Sequence, residues 1–309
     1  MTIQIRKATV ADKVDILRIS SQVWDGTDYV PAVLDKWLKS DDGIVWVAEA
    51  DEQVLGFSKM TFLSDHKCWL EGIRVDQISR GLGVGKALTN FQVEESVKMN
   101  FKSCGLSSYV ENKESLKMVA SKGFVEMARF KVYACEFNRL EFKSDEEKHQ
   151  ENQAAAMRRS YLKGCEVTTL GKDDHEWLMA NMRNSQALED RKGYLSYDWT
   201  FETVNESLVE ERLIAGDFYR LDKQDCFTVF SFSKKDAKGH YRTVNFIGEE
   251  ALEAEVLSYA YEASVLADED GFGYMAVDNR RQAAFAAIGL EGYNSEKQDA
   301  FVFEKKGRA

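Results

Sequence analysis

Between residues 69 and 88 the chain reads WLEGIRVDQISRGLGVGKAL, and this stretch dictates a strand, a glycine loop and a helix start in that order. An apolar run over 69–75 enters a short polar turn at 76–79, and glycines alternate at 81, 83 and 85. Val84, Ala87, Leu88 and Phe91 then recur at helical spacing. Such a sequence lines up backbone N–H groups that no side chain shields. The unpaired N–H groups and dipole of the helix end add to the attraction for an anion. Arg80 and Lys86 bracket the loop with positive charge. The pattern predicts a diphosphate site over Arg80, Gly81, Leu82, Gly83, Val84, Gly85 and Lys86; a plain turn whose glycines serve tight packing is the alternative.

Spacing narrows which diphosphate is held. A Walker A loop would need glycine where Arg80 stands, and a dinucleotide fingerprint started at Gly81 or Gly83 would need glycine at Lys86 or Leu88. What remains is Arg80-x-x-Gly83-x-Gly85. It resembles the acetyl-CoA pyrophosphate loop of the GNAT superfamily of N-acetyltransferases, whose motif is [Q/R]xxGx[G/A]. A second stretch, Asn112-x-x-Ser115 followed by Gly123-Phe124, is similar to that superfamily's Nxx[A/S]…GF segment in identity and spacing.

The resemblance implies an α/β (α+β) acyl-CoA-binding fold, a mixed central sheet flanked by helices, with acetyl-CoA as co-substrate. It nominates the backbones of Ile73, Arg74 and Val75 for the pantetheine arm and thioester carbonyl, the Arg80–Lys86 loop for the pyrophosphate, and Asn112 with Ser115 beside the pantetheine. The superfamily often has a tyrosine, acid to the leaving thiolate, where this chain has Val119. Tyr133 or Tyr109 would take that role, or none would, since a thiolate of pKa near 8.5 leaves tolerably unaided. The run Asp25-Gly26-x-Asp28-Tyr29-x-Pro31, with EGxRV and RGxGV downstream, resembles the branch containing histidine N-acetyltransferase. That implies a free amino acid or similar small amine.

The residues themselves suggest how the amine would be handled. A primary alkyl amine has a pKa near 10.4, so at neutral pH something must remove its proton. Glu71 is the expected base, a carboxylate inside an apolar strand, placed by simple alternation on the same face as Ile73 and Val75 and toward the glycine loop. A merely solvated strand carboxylate is the alternative, and His66 is a second choice of base. Asp25, Asp28 and Tyr29, with Trp24, are expected to bind the ammonium by ion pairing and cation–π contact; a packed Asx-type turn would use the same residues.

Composition bounds the rest. With 309 residues, 44% of them hydrophobic, the chain has material for two ordinary domains. A net charge of −11 argues against a nucleic-acid surface, which needs clustered Lys and Arg. Five scattered cysteines without a CxxC pair, and histidines without metal spacing, signal neither disulfide framework nor metal. With no run of about 18 apolar residues and no apolar leader, a cytoplasmic protein is expected. Its partners would be a small-molecule amine and at most a second copy as a homodimer, with no membrane.

The chain also repeats itself. Residues 1–137 read as the catalytic domain, and 138–163, rich in Glu, Gln, Ala and Arg, as a charged helical linker. Residues 164–309 read as a degenerate second version of the first part. HYRTVNFIGE at 240–249 lies over HKCWLEGIRV at 66–75, pairing Asn245 with Glu71; Asn279 and Gly289-Leu290 mimic Asn112 and Gly123-Phe124. The glycine loop has no counterpart, because Gly248 passes into an acidic helix. The leading expectation is an acetyl-CoA-dependent N-acetyltransferase acting on a small amine. A protein lysine or N-terminal acetyltransferase and a non-catalytic acyl-CoA-binding module are the alternatives.

Overall fold

A computed structural model describes residues 2–64, 66–136, 145–197, 199–233, 242–248, 250–267, 271–276, 282–289 and 299–307. Part of the expected linker, and His240, Asn279 and Leu290 of the expected repeat, lie outside the described residues. The first half runs β1 (Gln4–Lys7), α1 (Lys13–Ser20), α2 (Val30–Lys39), β2 (Gly43–Ala50), β3 (Gln53–Ser64), β4 (Lys67–Val75), α3 (Val84–Lys98), β5 (Ser103–Tyr109), α4 (Lys113–Ser121) and β6 (Val125–Glu136). After α5 (Asp145–Leu162) come β7 (Cys165–Thr169), α6 (His175–Arg183), α7 (Gln186–Asp190), β8 (Tyr194–Tyr197), β9 (Thr200–Thr203) and α8 (Glu206–Ala215). The chain continues through β10 (Phe218–Lys223), β11 (Cys226–Phe232), β12 (Arg242–Phe246), α9 (Glu253–Leu266), β13 (Gly271–Ala276), α10 (Gln282–Ala287) and β14 (Ala300–Lys306).

Local chemistry explains these elements. Asp51 and Glu52 both adopt positive φ between β2 and β3, the two-residue turn whose twist suits a hairpin. In α2, Pro31 sits in the first turn, where its missing N–H costs nothing. Val30, Val33, Leu34 and Trp37, at helical spacing, are all buried. They close with Ile16 and Ile19 of α1 over Val45, Val47 and Phe57 of the sheet, and each buried side chain of this size contributes about 1.5–3 kcal/mol. On the opposite face Val93 of α3 and Leu116 and Val119 of α4 pack on Met60, Cys68, Leu70 and Leu106.

The strands form one sheet in the order β1-β2-β3-β4-β5-β14-β6-β13-β12-β11-β10-β7. Counted inward from either end the order is the same: β1 answers β7, β2 answers β10, β3 answers β11, β4 answers β12 and β5 answers β13. The centre is made of β14 and β6, the closing strand of each half, and the two have changed places. β14 pairs antiparallel with β5 and β6, and β6 pairs antiparallel with β13. Thus β14, inside the expected second segment, completes the first half of the sheet. The small β8–β9 sheet lies over this centre, with Tyr194 and Phe201 packed among Trp69, Phe130 and Val302.

Candidate active site

The first half of the sheet splits where the glycine-loop strand meets β5. These strands are parallel neighbours only through Lys67↔Ser103, Cys68↔Cys104 and Trp69↔Gly105. A side chain at 105 would stand 2.6 Å from the Trp69 ring, so glycine is required where the indole crosses. Among the described residues, the edge of β4 that faces β5 has no ladder partner beyond Trp69, which leaves main-chain N–H and C=O groups along a slot. An extended amide-bearing arm can pair with such an edge as an added strand does.

At the end of the slot, Asp76 turns the chain. Its Oδ1 accepts from Ile78 N at 3.2 Å, and its other oxygen pairs with Arg18. Burial works against the Asp76 charge, but Arg18 and the Ile78 N–H hold its pKa below the usual carboxylate value. Gly81 and Gly83 have φ of +79° and +82°, and a Cβ on either would meet nothing within 4 Å. The glycines therefore serve the left-handed backbone, and the ground above the loop is open. The first helix bond of α3 runs from Ala87 N to Gly83 O at 2.9 Å. Among the described residues nothing accepts from the N–H groups of Gly81, Gly83, Val84, Gly85 or Lys86. Arg80 and Lys86 are exposed and in no ion pair among those residues. Val84, buried against Leu88 and Val75, anchors the turn. Open backbone N–H groups and two cations thus sit together at one turn, with the slot leading from it.

The second sequence element builds the start of α4. Asn112 caps it, its Oδ1 accepting from Ser115 N at 3.2 Å. Gly123, at φ +76°, ends it, and Phe124 drops into the core. Val119 is fully buried in that core, so the position where the resembled superfamily often has a tyrosine is taken up by packing.

Four expectations need correction. Glu71 does not share a face with Val75. The register runs Lys59↔Glu71, Phe57↔Arg74 and Gly56↔Val75, so two steps on β3 match three on β4. The extra residue is a bulge at Gly72, whose φ is +65°. Glu71 and Arg74 therefore point to the α1–α2 side, and Val75 to the α3 side. There Glu71 accepts from Thr61 Oγ1 and lies 3.9 Å from Lys59 Nζ.

Asp28 is not free to take an ammonium. Its oxygens accept from Arg74 Nη2 at 2.8 Å, Arg74 Nε at 3.1 Å and Ser20 Oγ at 2.7 Å. The Arg74 guanidinium also lies 4.8 Å from the Trp24 ring centroid and 5.5 Å from that of Tyr29. Burial opposes the Arg74 charge, but Asp28, Tyr29 and Tyr109 raise its pKa above the ordinary arginine value. The acidic and aromatic cage read from the sequence exists, and the chain's own arginine occupies it. Asp25 is exposed, at φ +53°.

Tyr133 is buried in the other half's core, stacked on Phe285 at 5.2 Å; its strand, β6, lies on that side of the sheet's centre because it pairs with β13. Tyr109, at the end of β5, stands across the slot near Arg74, 6.4 Å from the Trp199 ring. Two residues were missed altogether. Lys59 signalled itself as the one charge inside VLGFSKMTF, and Trp199 as an aromatic in the unassigned β8–β9 stretch.

Residues 12–124 match the model of the Acetyltransferase (GNAT) family. Over 93 residues the chain is 30% identical to the histidine N-acetyltransferase of Oreochromis niloticus, covering 30% of this chain and 28% of that protein. Over 82 residues it is 33% identical to that of Xenopus tropicalis, covering 26% and 25%. The matched part is thus little more than a quarter of either relative. A putative acetyltransferase from Thermoplasma acidophilum superposes with a TM-score of 0.58 at 14% identity, over 98% of this chain and 99% of that one. A tandem GNAT protein from the clavulanic acid biosynthesis pathway does so with 0.58 at 12% identity, over 100% of both. These two likenesses are of fold, and the second extends the GNAT architecture across both halves.

Proposed function

We propose that this chain, whose residues 12–124 form an Acetyltransferase (GNAT) family domain, is an acetyl-CoA-dependent N-acetyltransferase acting on the primary amine of a small molecule. One observation carries the reading: N–H groups and two cations at the Arg80–Lys86 turn that are unpaired among the described residues, joined to a strand edge left open there beyond Trp69. A diphosphate attached to an extended amide arm is the ligand class that matches both. The cysteamine end of such an arm would reach the Gly72 bulge, beside Glu71 and Tyr109.

There the chemistry is a single exchange. The amine nitrogen attacks the thioester carbonyl, a C–N bond forms, and the C–S bond breaks. Glu71 accepts the ammonium proton, directly or through one water; a main-chain N–H from 73–75 stabilises the developing oxyanion. Tyr109 donates to the departing thiolate and is reprotonated by the second proton that the nitrogen sheds as the amide forms. The greatest part of the acceleration comes from holding the two reactants together. The relatives named for histidine favour a free amino acid as acceptor. We read the chemistry into residues 1–137 completed by β14, and 164–299 as a partner segment without a phosphate loop. Among the described residues no helix is long and apolar enough to cross a membrane; a cytoplasmic site is our reading.

Thiol release from acetyl-CoA, followed against a panel of amino acids, simple amines and peptides, tests this. Turnover with a small amine and none with peptides is expected. Acetylation of peptides alone would move the assignment to proteins, and CoA binding without any turnover would leave a binding module.

A further inference from the structure

Lys59 faces Glu71 directly across the β3–β4 ladder, and its side chain is only 4% exposed. The ammonium lies 3.1 Å from Asp42 Oδ1, 3.9 Å from Glu71 Oε1 and 5.2 Å from the centre of the Trp37 ring. A side chain at Gly43 would meet Met60 O at 2.3 Å and Lys59 Cε at 3.1 Å, so glycine there lets β2 approach β3 beside the lysine stem. Burying an ammonium is costly unless it is paired. Asp42, 43% exposed, could be paired from the surface without that cost; Glu71, 10% exposed, could not. At the matching place in the other half the facing residues are Ser231 and Asn245, joined by a 2.9 Å bond from Asn245 Nδ2 to Ser231 Oγ. Where the carboxylate is absent, no lysine faces it across the ladder, and the Asn245 amide accepts instead from buried Arg191.

We propose that Lys59 is a positioning residue for Glu71: its buried ammonium holds the carboxylate in place on β4 while the incoming amine still carries its proton. This rests on Glu71 being the proton acceptor. Thr61 of β3 donates to Glu71, and Trp37 of α2 and Tyr29 just before it stand over the adjoining Gly72. Its own strand adds Arg74, gripped by Asp28, and Lys67, paired with Glu304. β5 adds Tyr109, near Arg74. Lys59 is the cation that faces Glu71 across the ladder.

The test is the pH dependence of transfer from acetyl-CoA to L-histidine, or to the best amine of the panel, in the full chain. Lys59→Met should move the acid limb of kcat/KM to higher pH by about one unit, since a nearby opposite charge favours the ionised form. The KM for acetyl-CoA should stay unchanged, and Lys59→Arg should restore the profile. Asp42→Asn, at a half-exposed position, should move the limb the other way, because Lys59 is then shared with no second carboxylate. A folded Lys59→Met chain with an unmoved limb, or the two variants moving it in the same direction, would overturn the proposal. If Lys59→Met does not fold, Asp42→Asn decides alone. ¹³C NMR titration of Glu-labelled chain, assigned with Glu71→Gln, reads the same shift without turnover. It thus separates failure of this inference from failure of the proposed reaction.

Discussion

Strands β4 and β12 occupy mirrored positions in one sheet, and beyond their short parallel ladders they are finished in opposite ways. After Trp69 the β4 edge is open, and Glu71 faces a buried cation. After Val244 the chain is closed by Asn245. That amide accepts from Arg191 Nη2 at 2.7 Å, Ser196 N at 2.8 Å and Ser196 Oγ at 2.9 Å, and donates to Ser196 O at 2.8 Å. The glycines differ in the same sense. Gly81 and Gly83 border open ground, whereas a Cβ on Gly248 would lie 2.1 Å from Thr228 Oγ1. At the first turn of α9, Glu253 and Glu255 are buried, Glu255 paired with Lys223 at 2.8 Å, where the turn into α3 and its first residues have Arg80 and Lys86. One topology thus carries two finishes. Polar groups left unsatisfied make a place for a ligand, and polar groups fully satisfied make a rigid core.

The largest effect that could break this contrast is at the phosphate cradle. CoA should bind once per chain, and Gly83→Asp should weaken it at least a hundredfold, about 3 kcal/mol for one repelled anion contact. Calorimetry on the full chain reads both quantities; two sites per chain, or unchanged affinity in a folded variant, would sink the asymmetry. Next, Glu71→Gln should keep CoA affinity and lose about 10²–10⁴ in rate at neutral pH. Part of that loss should be regained in alkali, where more of the amine is already neutral. Asn245→Leu should do the reverse, costing about 2–3 kcal/mol of stability by stripping bonds from buried Arg191, with the rate per folded molecule unchanged. A rate loss there would mean that the second half takes part in chemistry.

Smaller effects sharpen the picture. Tyr109→Phe should slow transfer by no more than about 10², and Tyr133→Phe should leave the rate alone; the opposite order would return the acid to Tyr133. Finally, Arg6 holds the Asp12 carboxyl at about 2 through its hydrogen bond, against the opposing effect of burial, while the matching Asp174 reaches the main chain at Gly171 N. Because the folded value is depressed, this support is present above pH 3.8 and is lost as pH falls toward 2. With Arg6 half exposed, Arg6→Gln should cost no more than about 1 kcal/mol in neutral denaturant melts, and the deficit should vanish near pH 2.

Glycine spacing made the turn before α3 legible, because residue identity at 81 and 83 carries the left-handed backbone directly. Asn112 and Gly123 marked the ends of α4 for the same reason. The face of Glu71 was misread because alternation assumes a regular pleat; the only warning was Gly72, a glycine inside a strand, which signals a bulge. Asp28, Tyr29 and Trp24 announced a cation cage, but composition cannot say whether its cation is a ligand or Arg74. Tyr133 and β14 were opaque for a deeper reason. Their neighbours are set by pairing across nearly the whole chain, and local pattern contains no term for that.

The exchange of β14 and β6 has a consequence for how the molecule is made. Lys305 is registered against Cys104, so while the ribosome is still reading the second half, the β5 edge stands bare. The first half, which holds every residue of the proposed reaction, cannot be finished in order of synthesis. An emerging chain must be shielded from pairing that edge with a neighbouring copy until residues 300–306 arrive. A release that comes too early would yield the whole phosphate cradle on a sheet with a missing rib.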